Sequence, residues 1–152
     1  MEQVLEFKES APLAHYEASG CFITCFDFRQ YPHTDDLLKL LFGESRFDMV
    51  RIAGGAKDLA TEKDDKKSAA GRNFILDQIR ISSRLHGTRR VVLTLHLNCG
   101  AYGGSEAFGN NLNAEREHHA EALKKAAWAV SEEIPGVEVE CFLIGNKIVW
   151  RV

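Results

Sequence analysis

At 152 residues the chain is long enough for one domain with a real core and too short for two comfortable ones. Its 19 Lys and Arg and 22 Asp and Glu leave a net charge of -3 spread along the whole length, which excludes the basic stripe that nucleic acid or an anionic membrane surface needs. No apolar run approaches the roughly 20 residues that span a bilayer, so no nucleic-acid and no membrane partner is expected.

The first residues carry Glu2 and Glu6 inside their only apolar stretch, unlike the hydrophobic region of an export signal. The expectation is a cytoplasmic protein whose four cysteines, Cys21, Cys25, Cys99 and Cys141, stay reduced and serve as metal ligands or core. Residues 21–26 form an apolar run without alternation, as in a strand covered on both faces. Pro32 to Asp36 supplies cap-type residues and acids before Leu37, Leu38, Leu40 and Leu41, and Gly43 closes that short helix. Residues 47–53 read as a second strand ending at Gly54-Gly55, where backbone without side chains can approach a ligand.

The stretch 57–67 is charged and poor in large apolar residues, which predicts a mobile loop, or a lid over whatever Gly55 adjoins. Ser68 opens a helix through Phe74, Ile75, Ile79, Ser82 and Leu85 that ends at Gly87. Residues 91–95 are the most strand-like in the chain and deliver His96 and Cys99 at their carboxyl end, before a glycine-rich loop. A long helix begins near Asn113, with Glu115 and Glu117 as first-turn acids and an apolar stripe through His119, Leu123, Ala127, Val130 and Ile134. After Pro135-Gly136, a strand over 137–144 turns at 145–147 into a hairpin partner over 148–152. This order predicts an α/β fold, a three-layer α/β/α sandwich around a mainly parallel four-stranded sheet with an added C-terminal antiparallel strand, in one domain over 1–152.

Ligands collect outside the carboxyl ends of the strands in such sheets, and Cys25 to Arg29, Gly54-Gly55 and His96 to Cys99 all stand at such ends. Two thiols and an imidazole, with two residues between His96 and Cys99, make a three-ligand zinc set with an open fourth position. If the first strand stays extended, Asp27 and Arg29 project on the same side as Cys25. Asp27 then either takes the fourth position or accepts a hydrogen bond from a metal-bound water, and a bidentate grip by Arg29 favours the second. His119 is expected to be a core or interface histidine rather than a proton shuttle, Cys21 and Cys141 to be core, and Arg51 either to cap a helix or to reach the pocket.

Cys25-x-Asp27-x-Arg29, Arg51-x-Ala53-Gly54 and His96-x-x-Cys99-Gly100, in this order on this strand pattern, resemble the β-class carbonic anhydrases. The resemblance covers most of the chain from Cys21 onward, and it is to a divergent, short branch in which 1–20 is all that remains of an N-terminal arm. It implies Zn2+ on Cys25, His96 and Cys99, the Asp27-Arg29 dyad beside it, hydration of carbon dioxide to bicarbonate, and a homodimer or higher homo-oligomer. Phe28, Arg51, Ile52, Gly54, Gly55 and Gly100 would then line the substrate pocket. Phe28 and Ile52 replace the Ser and Asn common in the family, which opens two alternatives: hydrolysis of carbon disulfide or carbonyl sulfide, and a non-catalytic zinc sensor closed by Asp27.

Overall fold

The structure is a computed structural model described over residues 14–62 and 65–152. Eight regular elements follow one another as β1 (Cys21–Cys25), α1 (Tyr31–Phe42), β2 (Asp48–Ile52), α2 (Ala69–His86), β3 (Arg90–His96), α3 (Leu112–Glu133), β4 (Glu138–Ile144) and β5 (Val149–Arg151), with short 3-10 turns between them. The strands form one sheet in the order β2-β1-β3-β4-β5; β2, β1, β3 and β4 pair in parallel and β5 joins antiparallel to β4. The predicted architecture is the observed one.

Successive side chains on a strand point to opposite faces, and each face finds its own helix layer. Cys21 and Ile23 of β1 pack with Ile75 and Ile79 of α2 and Leu123 and Val130 of α3. Phe22 packs with Leu37, Leu38 and Phe42 of α1 and with Val92 and Phe142 from neighbouring strands. Every residue of β1 is therefore buried, which is why its sequence reads as an unbroken apolar run. From β1 the chain crosses to β2 on one side and later to β3 on the other, so the sheet's switch point lies between the carboxyl ends of β1 and β3. Cys25 and His96 are the last residues of those two strands.

Several local expectations are corrected. Residues Lys57–Ala60 form a 3-10 turn, because Leu59 inserts into the core at 1% exposure and Arg72 Nη1 donates to its carbonyl at 3.1 Å. The rest of the predicted loop includes residues 63 and 64, outside the described residues. The buried face of α2 runs through Arg72, Ile75, Leu76, Ile79 and Ser82, leaving Phe74 and Leu85 exposed on a neighbouring face. The α3 cap is Asn111, whose side chain accepts from the Asn113 and Ala114 N–H groups. Helix α1 starts at Tyr31, so Thr34, Asp35 and Asp36 lie within it. Of the expected arm, residues 1–13 lie outside the described residues; Ala18 and Ser19 donate backbone N–H groups to the His86 and Arg46 carbonyls. Among the described residues no helix is long and apolar enough to cross a membrane.

Candidate metal centre

Cys25, His96 and Cys99 are buried together with their donor atoms within 4.8 Å of one another. Each arrives by a different local route. Cys25 ends β1 and His96 ends β3, while Cys99 follows a turn through Asn98, which holds the left-handed φ of +54°. The His96 ring is oriented by its own neighbour: Nδ1 donates to the Leu97 carbonyl at 2.8 Å, which leaves Nε2 as the free acceptor. That Nε2 is buried and has no hydrogen-bond partner among the described residues. A buried orphaned imidazole lone pair facing two sulfurs fits a borderline-soft ion such as zinc, whose preferred donors are nitrogen and sulfur.

The two thiols shift in opposite directions. The neighbouring Cys99 favours the Cys25 thiolate against burial, with the His96 ring and the backbone N–H groups of Asp27 and Gly54 adding to it, and lowers its pKa. The adjacent Cys25, together with burial, pushes the Cys99 thiol up. At His96 burial opposes protonation, but the Cys25 thiolate, the Leu97 carbonyl and Asp27 outweigh it and the pKa rises. Cys21 and Cys141 are also buried, and burial raises both thiols to about 11, so they behave as core.

Asp27 and Arg29 meet, although not by the extended geometry expected of them. The strand stops at Cys25, and Asp27 caps a 3-10 turn over Phe28–Gln30 by accepting the Arg29 backbone N–H at 3.0 Å. A short carboxylate that can bond its own backbone two residues on competes with strand extension, and here it wins. Arg29 Nε then lies 2.9 and 3.0 Å from the two Asp27 oxygens, and Nη2 makes a further short bond to Oδ2. This grip holds the Asp27 carboxyl at about 2, well below its usual range. Asp27 Oδ2 stands 4.0 Å from His96 Nε2, at the edge of the donor group rather than inside it.

The six residues expected in the pocket scatter. Phe28 is 76% exposed, and Ile52 packs on the core beneath α2 and α3. Arg51 turns toward α1, with its guanidinium 4.0 Å from the Tyr31 ring centre and its Nε on Met49 sulfur. Gly55 is spent on the sheet itself: at φ +57° a Cβ there would sit 2.5 Å from the Thr94 carbonyl and 3.1 Å from the Cys25 nitrogen. Gly54 is buried with its N–H toward the Cys25 sulfur, and Gly100 is exposed beside Cys99. A cleft of about 420 Å³ lined by Arg72, Lys125, Trp128 and Glu132 shares no residue with the trio.

Sequence reasoning missed the residues behind the ligand turn. Glu115, expected only as a first-turn acid, is buried and accepts from Asn98 and Ser105. The signal available was its spacing, one helical turn before His119 on the same stripe.

The family model described as "Putative carbonic anhydrase" matches residues 16–152. An uncharacterized protein of Rickettsia conorii is 37% identical over 132 residues, covering 85% of this chain and 68% of its own length. A second, from Rickettsia bellii, is 36% identical over 131 residues, covering 85% of this chain and 77% of its own. Among solved structures, β-carbonic anhydrase isoform I of Trichomonas vaginalis superposes with a TM-score of 0.63 at 17% identity, covering 94% of this chain and 87% of that one. The carbonic anhydrase of Streptococcus mutans gives 0.61 at 18% identity, covering 95% and 87%. The chain belongs to this carbonic anhydrase-like family, as a divergent member with the β-carbonic anhydrase fold.

Proposed function

We propose that the chain binds zinc through Cys25, His96 and Cys99 and catalyses the reversible hydration of carbon dioxide to bicarbonate. The observation that carries this reading is the orphaned His96 Nε2 facing two buried thiols, with an ionised carboxylate held at their edge. Zinc in such a set supplies Lewis acidity, which makes water nucleophilic near neutral pH. Asp27 supplies the acceptor: one of its oxygens takes a hydrogen bond from the attacking water and orients it. Arg29 keeps that carboxylate ionised and drawn aside, and this supports an open fourth position over a sensor closed by Asp27.

Gly54 and Gly100 border Cys25 and Cys99 and are our choice for the backbone along the carbon dioxide approach. Ile52, one of the two residues that motivate carbon disulfide or carbonyl sulfide as substrate, packs on the core, so carbon dioxide is the better-supported substrate. Phe26, Phe28 and Tyr31 are exposed aromatics on the segment beside Asp27, and a cytoplasmic homo-oligomer that covers them completes the reading.

The test is stopped-flow carbon dioxide hydration across pH on protein of known metal content. Zinc-loaded wild type is expected to exceed Asp27→Asn by roughly 100-fold in kcat/KM, the scale of a lost proton-handling group. A fully loaded wild type no faster than Asp27→Asn at every pH would overturn the assignment.

A further inference from the structure

Glu115 is 2% exposed, although it stands in the first turn of α3, where acids usually remain in water. Its carboxylate is occupied on both oxygens. Oε1 accepts the Asn98 backbone N–H at 2.5 Å and Oε2 accepts the Ser105 hydroxyl at 2.7 Å. Asn98 Oδ1 in turn accepts the Ser105 N–H at 3.1 Å, which closes a ring of three residues. From the opposite side, Arg29 Nη2 donates to the Asn98 carbonyl at 3.3 Å.

Asn98 lies between His96 and Cys99 and holds the left-handed φ of +54°, a conformation that asparagine adopts more readily than other residues with a side chain and that turns the chain from one donor to the next. Its N–H is held by Glu115 and its carbonyl by the guanidinium that binds Asp27. His119 seals the inner side: it is fully buried, and its Nε2 is 3.6 Å from Oε1, contact rather than a hydrogen bond. Burying a carboxylate is a poor way to gain stability, since apolar residues of similar volume often serve as well or better. What an acceptor at this position provides, and an apolar residue cannot, is a fixed position for the turn between Cys99 and His96.

We propose that Glu115 is a positioning residue of the metal centre: through Asn98 it fixes the turn from His96 to Cys99, so that both donors face one ion before the ion arrives. The inference rests on the metal reading above. Partners behind metal ligands typically contribute roughly 10–100-fold to affinity, and Glu115 reaches Cys99 by this indirect route.

Cobalt(II) titration tests it, with the thiolate-to-cobalt absorption as the readout and melting of the metal-free protein as the control for folding. Wild type is expected to bind one cobalt with intense sulfur charge-transfer bands. Glu115→Leu is expected to weaken binding by roughly 10–100-fold and to alter the bands. Glu115→Gln should restore most of the affinity, because the amide oxygen still accepts from Asn98 while the Ser105 hydroxyl turns to accept from the amide nitrogen. Glu115→Asp keeps the charge but withdraws it by one methylene, and should bind about 10-fold more weakly while remaining folded. A folded Glu115→Leu or Glu115→Asp with wild-type affinity and spectrum would overturn the inference and leave the metal reading standing. Wild type without sulfur-to-cobalt bands would overturn both.

Discussion

The two ends of the parallel sheet each carry a polar cluster, and only one of them has a buried acceptor to spare. At the amino end, Asp48 at the start of β2 accepts from Tyr16 OH at 2.8 Å, Ser82 Oγ at 2.6 Å and His86 Nδ1 at 2.8 Å. Thr88 bonds Ser82 at 2.7 Å, and the Tyr16 ring stacks on His86. Burial pushes the Asp48 carboxyl up, but its three partners outweigh that and hold it below its usual range. At the carboxyl end, His96 Nε2 has no partner among the described residues and faces the two buried thiols of Cys25 and Cys99. A cluster whose hydrogen bonds are complete holds a fold together, whereas one with acceptors left over is built for something that is not part of the chain.

This contrast breaks most sharply at the ligands. His96→Ala is expected to abolish zinc binding, measured as metal retained after dialysis, and with it the hydration activity, and also to lower the melting temperature of the metal-free protein, since the buried ring and its Nδ1 bond to the Leu97 carbonyl go with it. Asp48→Ala should leave the metal alone. It removes the acceptor of three donors and is expected to lower stability by about 2 kcal/mol, read from urea unfolding, with zinc stoichiometry and affinity unchanged. Loss of zinc in a folded Asp48→Ala protein would show that the two ends are not independent.

Acid gives a smaller effect. Burial is the main cause that lowers His119 from 6.5 to about 4, so between these values the unfolded chain takes up a proton that the folded chain does not. Stability should therefore fall as pH drops from 6.5 toward about 4, and His119→Phe should flatten that slope in unfolding measurements at pH 7 and 5. The smallest effect belongs to Asp27. Its carboxyl is depressed from 3.8 to about 2, chiefly by Arg29, so the stability it adds is present above 3.8 and lost as pH falls through about 2. Half-exposed Arg29 limits the size of this contribution, and Arg29→Gln should remove it.

The three donors were legible because each belongs to a short motif at the end of a strongly patterned strand. The same patterning made the layer order and the parallel sheet readable, since residues 21–25 and 91–95 are apolar but for Thr24 and Thr94. The Asp27-Arg29 partnership was legible as a pair but not as a geometry, because the sequence does not announce that Asp27 will cap a turn instead of extending the strand. Leu59 was hidden among charges, and one apolar residue suffices to anchor a short turn when a cavity awaits it. Glu115 was hidden by its position: a first-turn acid usually faces water, and only the fold reveals that the ligand turn lies against it.

The central claim, that two strand ends and one turn converge on a sulfur and nitrogen metal site, is most directly tested by X-ray absorption at the zinc edge of the loaded protein. The account predicts one zinc per chain with two sulfurs near about 2.3 Å and an imidazole nitrogen at about 2.0–2.1 Å. Zinc bound without sulfur in its first shell, or no stoichiometric zinc in protein that is folded, would contradict it.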